Sequence, residues 1–228
     1  MKTKFQLTVL LSAICMSVFG QGFMPGFDMF SHSKPSYLTL DDGTKIEGEI
    51  DRLDRKRNNI SGIRMKINGE KKLFAPEEVK EMYLPAHSLN KFSLKMESAT
   101  NTSKDYDLEM INDGYGYFEN TEVMLGKKVQ TLMMQLVNPG FSDKIKVYFD
   151  PMAMETMKVG VGPISAGGID RSYYIKVGDE PAYKLSKANY DDLFKELYAD
   201  CPALVEEIGK SPTWKELPEH MFKHASCE

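Results

Sequence analysis

Hydrophobic side chains in this sequence recur mainly at every second position. Residues 37–40 (Tyr-Leu-Thr-Leu) and 45–50 (Lys-Ile-Glu-Gly-Glu-Ile) alternate in this way, the mark of strands with one covered face. The same pattern registers the loop between them. A two-residue Asp42-Gly43 loop would set Leu40 against Lys45 and Leu38 against Glu47, mixing apolar and charged chains on one face. A three-residue loop, Asp41-Asp42-Gly43, sets Leu38 against Ile46 and gives Gly43 the left-handed position. A second hairpin is expected from residues 63–67 and 70–74 around Asn68-Gly69. Pro76-Glu77-Glu78 reads as one helical turn with proline at its first position. Residues 82–84 form a further strand that Pro85 ends. Five short strands within about 50 residues predict a small barrel-like unit or a curled sheet over 36–87.

From 88 to 186 the alternation continues. Strands are expected at 92–96, 106–110, 115–124, 129–137, 144–149, 155–161, 173–177 and 182–185. Between several of them lie turn-rich breaks, Asn112-Asp113-Gly114, Asn138-Pro139-Gly140, Gly167-Gly168 and Gly178-Asp179, a spacing that suits an antiparallel β meander. The period then changes. Tyr190, Leu193, Phe194, Leu197 and Tyr198 fall at i, i+3, i+4, i+7 and i+8, a helical stripe with Asn189 placed to cap it. Pro202 begins a second helix that Gly209 ends, and Pro218 begins a third. The tail over 187–228 carries too little apolar surface to bury itself, so it should pack on the sheet. The expected fold class is α+β, mainly β, with a small N-terminal barrel-like unit, an antiparallel β meander and C-terminal helices packed on the sheet.

The first 35 residues follow a different logic. Lys2 and Lys4 precede an uncharged apolar run over 5–14, and small residues follow at 18–20. This is the layout of a secretory signal peptide over 1–20, cleaved before Gln21. The run is too short to span a bilayer, which needs about 20 apolar residues, and no transmembrane segment is expected after its removal. A lipid anchor on Cys15 is the competing reading, although the preceding Ile14 is not the small residue such sites want. Residues 21–35 read as a flexible leader interrupted by Gly22, Pro25, Gly26 and Pro35. Its Phe23, Met24, Phe27, Met29 and Phe30 either pack back on the core or form a partner-binding segment, packing back being the expectation.

Charge and cysteine content narrow the function. The chain has 29 Lys+Arg and 33 Asp+Glu, a formal charge of −4, and loss of Lys2 and Lys4 with the leader makes the remainder still more acidic. That balance argues against nucleic acid, whose binding rests on clustered cations. The densest basic run, residues 52–57 (Arg-Leu-Asp-Arg-Lys-Arg), reads as a solvated loop. Of the 3 cysteines, Cys15 leaves with the leader. Cys201 and Cys227 remain, and an even count in an oxidising compartment suggests a disulfide, though free thiols stay open. Closing a loop of about 26 residues is worth ~3 kcal/mol in the chain-entropy account.

Candidate chemistry is sparse. His220, His224 and Cys227 are spaced i, i+4, i+7 beside Met221, so a helix would gather imidazole, thiolate and thioether for zinc or a soft copper ion. The disulfide competes for Cys227. The 15 methionines, with Met133-Met134 adjacent and Met152, Met154 and Met157 clustered, mostly fill apolar strand positions. Asp105, Asp107 and Glu109 resemble the opening of a calcium loop, but Met110 stands where glycine is required. Ser165 lies in a Gly-Pro-Ile-Ser-Ala-Gly run that misses the nucleophile-elbow pattern because residue 163 is proline. No catalytic residue, cofactor site or phosphate loop is identified, and paired carboxylates cannot be selected from spacing alone.

Two resemblances add to this reading. The run from Leu38 and Leu40 through Gly43, Gly48 and Ile50 to Leu53 and Asp54 resembles the first motif of Sm-like RNA-binding barrels. The second, RNA-contacting motif has no counterpart here, so only a strongly bent small barrel is implied. More broadly, residues 46–50 (Ile-Glu-Gly-Glu-Ile), 74–80 (Phe-Ala-Pro-Glu-Glu-Val-Lys) and 200–204 (Asp-Cys-Pro-Ala-Leu) and Cys227 are similar to a group of uncharacterised exported proteins of Gram-negative bacteria. That likeness implies export to the periplasm, the outer membrane or the medium, and this outline of fold. It implies no activity. The expected function is a non-enzymatic envelope or secreted module whose partner is a protein, a glycan or an outer-membrane component. The alternatives are a soft-metal binder using His220, His224 and Met221, and a hydrolase acting on envelope polymers.

Overall fold

The computed structural model describes residues 22–26, 29–87, 106–153, 169–209 and 211–227. The leader over 1–20, the strands expected at 92–96 and 155–161, Ser165, and Met154 and Met157 lie outside the described residues.

Among the described residues ten strands form two antiparallel sheets. The larger contains β1 (Ser36–Leu40), β2 (Lys45–Lys56), β3 (Asn59–Ile67), β4 (Glu70–Phe74), β5 (Val79–Pro85), β6 (Tyr115–Leu125) and β7 (Lys128–Gln135), in the order β4-β3-β2-β1-β5-β6-β7. The smaller has β9 (Ser172–Val177) between β8 (Ile145–Phe149) and β10 (Tyr183–Ser186). The first hairpin takes the three-residue loop: Leu38 pairs with Ile46, and Gly43 sits at φ 83°. In the second, Ile67 faces Glu70 across Asn68 and Gly69, whose φ values of 51° and 88° make the two-residue turn that suits strand twist.

β5 joins what the sequence presents as two β units. It pairs with β1 on one side, Leu38 opposite Met82, and with β6 on the other, Met82 opposite Phe118. Side chains from both units and from the tail therefore enter one buried cluster. The larger sheet curls but does not close into a barrel. The bend is written into β2, where pairing with β3 slips between Ile50 and Arg52 and again between Asp54 and Arg55, because a bulge turns the strand. At Gly48 a Cβ would stand 2.7 Å from the Lys66 carbonyl oxygen, so the close approach of β2 to β3 requires glycine.

Two local expectations are corrected. The basic run is not a loop. It completes β2, with Arg52, Arg55 and Lys56 exposed, and turns at Arg57 and Asn58, both left-handed at φ 50° and 64°. Residues 106–110 are not a strand either. Asp107 accepts hydrogen bonds from the N–H groups of Glu109 (2.9 Å) and Met110 (3.1 Å), capping the short helix α1 (Leu108–Asn112). Five alternating residues cannot outweigh an aspartate that satisfies two otherwise orphaned donors.

Of the apolar residues in the 21–35 segment, Phe23, Met24 and Phe30 pack back, Met29 is exposed, and Phe27 lies outside the described residues. Met24 is buried and donates its N–H to Val137, Phe23 meets Phe141 and Tyr173, and Phe30 bridges to Ala86. The tail forms α2 (Tyr190–Leu197), α3 (Pro202–Ile208) and α4 (Leu217–Ala225). Asn189 occupies the cap position of α2, but its side chain accepts from the N–H and hydroxyl of Ser186 instead of capping. The helices pack towards the smaller sheet: Trp214 lies against Tyr173 and Tyr190, and Phe222 stands edge-on to Phe141.

Candidate functional site

The histidines of α4 lie on its buried face, as their i, i+4 spacing requires. Each is committed to a separate partner. Tyr190 Oη and His220 Nδ1 share a hydrogen bond at 2.6 Å, and burial holds the His220 imidazole below its usual pKa against the opposing pull of Glu216 and Glu219. His224 Nε2 meets Asp200 at 2.5 Å. Burial would raise the Asp200 carboxyl, but hydrogen bonds from His224 and Lys144 keep it below the ordinary value. Met221 points into the core. Cys201 and Cys227 stand at disulfide distance with Cα atoms 5.9 Å apart, tying the end of α4 to the start of α3. Among the described residues no group of three or more His, Cys, Asp or Glu side chains is placed to hold a metal ion.

A second cluster occupies the junction of the two sheets. Alternation along β5 and β6 puts Glu81, Tyr83, Tyr117 and Glu119 on one face, with Glu81 opposite Glu119 and Tyr83 opposite Tyr117. Glu119 receives Lys146 Nζ at 2.9 Å and Tyr148 Oη at 2.6 Å, while Tyr117 Oη reaches both Glu81 (3.1 Å) and Glu119 (3.3 Å). Burial, then the adjoining carboxylates, push the Tyr117 and Tyr148 hydroxyls far above their usual pKa, so both remain donors. This is a paired-carboxylate arrangement that spacing alone could not select. Both Glu119 oxygens are occupied by fixed donors, Glu81 shares the Tyr117 hydroxyl with it, and neither carboxylate lines the concavities described below. The chemistry it performs is cohesion: a carboxylate only 14% exposed is neutralised by a lysine from the opposite sheet.

The third cluster is open. Because β2, β3 and β4 are covered on one face only, their outward side chains meet solvent. Asp51, Arg52, Arg64, Lys71, Lys72 and Leu73 line a groove of about 390 Å³. Asp54 accepts from Arg64 Nε at 2.8 Å and pairs with Arg52 Nε at 2.7 Å, and Lys71 pairs with Asp51 at 2.9 Å. Hydrogen bonding to Lys71 lowers the Asp51 carboxyl; at Asp54 burial is the largest single influence and raises the carboxyl, but the hydrogen bonds and charges of Arg64 and Arg52 together outweigh it and leave it lowered. Three cations, Arg52, Arg64 and Lys71, thus face two acids on this side, a local excess on an acidic chain, while Lys72, opposite buried Met65, projects to the other face of β4. Glu49 and Lys66, opposite one another farther along, cancel. Lys72 Nζ rests 4.8 Å from the Phe74 ring centroid, and Leu73 is 55% exposed. A second concavity, between the β2–β3 turn and β6–β7, holds only about 20 Å³.

The basic run over 52–57 supplies part of this groove as a strand, although its charge density alone reads as a loop. The pairing that brings Arg52 beside Arg64 and Leu73 across three strands is a product of register, which a linear spacing does not display. No helix among the described residues is long and apolar enough to cross a membrane. Comparison with family models, curated proteins and solved structures returns no match, so the chain's own geometry carries the functional argument.

Proposed function

We propose that this chain is an exported, non-enzymatic binding or structural module of the cell envelope, with its contact surface on the outer face of β2, β3 and β4. The observation that carries the reading is the charge-lined groove on that face, set against buried acids and histidines whose polar atoms are largely engaged by the fold. Export is supported by the apolar leader of residues 1–20 and by the disulfide distance of Cys201 and Cys227. The partner is an envelope protein, a glycan or an outer-membrane component. Nucleic acid is disfavoured by the net charge.

The alternatives have weaker support. A soft-metal site would need His220 and His224 to leave Tyr190 and Asp200. A hydrolase would need Glu81 or Glu119 to face a cleft. The test is expression of the full chain in a Gram-negative host, fractionation, and intact mass under non-reducing conditions. The expected species begins at Gln21, carries the bridge and lies outside the cytoplasm. An unprocessed, reduced cytoplasmic chain would refute export. Lysine-reactive crosslinking of envelopes then tests the surface: adducts at Lys71 are expected, and adducts confined to the opposite end of the molecule would move the contact elsewhere.

A further inference from the structure

The groove ends at β4, the outermost strand of the larger sheet. The two-residue turn makes Ile67 and Glu70 a hydrogen-bonded pair, and in an antiparallel ladder such pairs alternate. Glu70, Lys72 and Phe74 therefore direct their backbone groups to β3. Lys71 and Leu73 direct their N–H and C=O groups outward, to an edge where no backbone partner is seen among the described residues. The same two residues turn their side chains into the groove, one cationic and 69% exposed, the other apolar and 55% exposed. Backbone donors and acceptors, a positive surplus and an uncovered leucine coincide on a single strand.

We infer that β4 accepts an extended acidic segment of a partner protein as an added antiparallel strand. The partner strand exchanges hydrogen bonds with Lys71 and Leu73, sets a carboxylate against Lys71 and the Arg52–Arg64 cations, and covers Leu73 with an apolar residue two positions away. Charge complementarity selects this occupant. A second copy of the chain pairing edge to edge would bring the Lys71–Lys72 pairs of both copies into one patch, and like charges there repel. Lysines on an edge strand commonly guard against indiscriminate pairing. Here the guard also specifies the sign of what can dock. The inference rests on the binding-module reading and names the partner class for that same surface.

The experiment uses the folded, disulfide-bonded chain and short capped peptides in which Glu and Val stand two positions apart with Thr between them, so that both fall on one strand face, followed by calorimetry or fluorescence polarisation. Binding that weakens with added salt is expected. A peptide with Lys in place of Glu, or one N-methylated on the edge facing β4, should bind at least about tenfold more weakly. Leu73→Pro removes an outward N–H that β3 does not use, so it should abolish binding while the thermal transition is retained. If Leu73→Pro does not fold, the N-methylated peptide against the native chain still decides. Equal binding of the N-methylated or the Lys peptide overturns the inference, as does the absence of binding to any peptide at millimolar concentration. Capture of short-chain polyphosphate that persists in Leu73→Pro, without peptide binding, also overturns it. That last result leaves the binding-module reading standing, whereas loss of export or of all envelope contact would remove the module itself.

Discussion

Glu119 and Asp54 are carboxylates in two regions of one sheet, each held by two or more donors, and the sheet treats them differently. Glu119 lies where the smaller sheet covers β6, and Lys146, Tyr148 and Tyr117 surround it. Asp54 lies where β2 curls away from the rest of the fold, and Arg52 and Arg64 hold it in contact with water. In the first region removing a partner strands a charge in a poor solvent. In the second, water replaces whatever is lost. The same contrast separates Phe194, 1% exposed within the helical tail, from Leu73 on the open edge. Covered polar groups in this protein maintain the fold, and the uncovered ones are available to other molecules.

The comparison can be broken in several ways. The largest effect is expected at Phe194, whose ring packs on Tyr190, Tyr198 and His220. Phe194→Ala should cost about 3–5 kcal/mol in denaturant unfolding. Leu73→Ala should leave the midpoint nearly unchanged, and equal losses at both sites would erase the distinction. Next comes the tie between α3 and α4. Reduction of Cys201 and Cys227, sequence separation 26, should lower stability by about 3 kcal/mol and shift the thermal midpoint accordingly. Glu119→Gln keeps the shape and removes the charge that Lys146 and two tyrosines address. A loss of about 2 kcal/mol is expected, whereas Asp54→Asn should not move the unfolding curve.

A smaller effect concerns pH. Burial lowers the folded pKa of His220 below its ordinary value of 6.5, so the unfolded chain takes up the proton first as pH falls. The stabilising contribution of neutral His220 is therefore complete above pH 6.5 and is lost progressively as pH drops from there towards the folded value. Asp200, lowered from 3.8, acts only in a more acidic window. Melting curves between pH 7.5 and 5 should show the decline, and His220→Gln should flatten it. A decline unchanged in the variant would place the titrating group elsewhere.

Several elements were legible because their determinants are local. The Leu38–Ile46 register follows from keeping apolar chains on one face, and the Asn68-Gly69 turn from residues that tolerate positive φ. The stripe from Tyr190 to Tyr198 and the prolines at 202 and 218 announce three helices, which α2, α3 and α4 realise. Others were not. Alternation over 106–110 has the period of a strand, but Asp107 caps α1 there, and the charge density of the basic run masks its pairing in β2.

The sequence by itself determined the local repertoire of this protein: period-2 strands, glycine-marked turns, the helical tail and the spacing of its two late cysteines. These depend on steric and hydrophobic preferences that act over a few residues. Only the tertiary structure decided that β5 would merge two strand sets into one sheet, that Glu119 would be enclosed while Asp54 stayed in water, and that β4 would be left at an edge. Those outcomes depend on which distant segments exclude solvent from one another, and solvent exclusion is a property of the assembled surface, not of any stretch of chain.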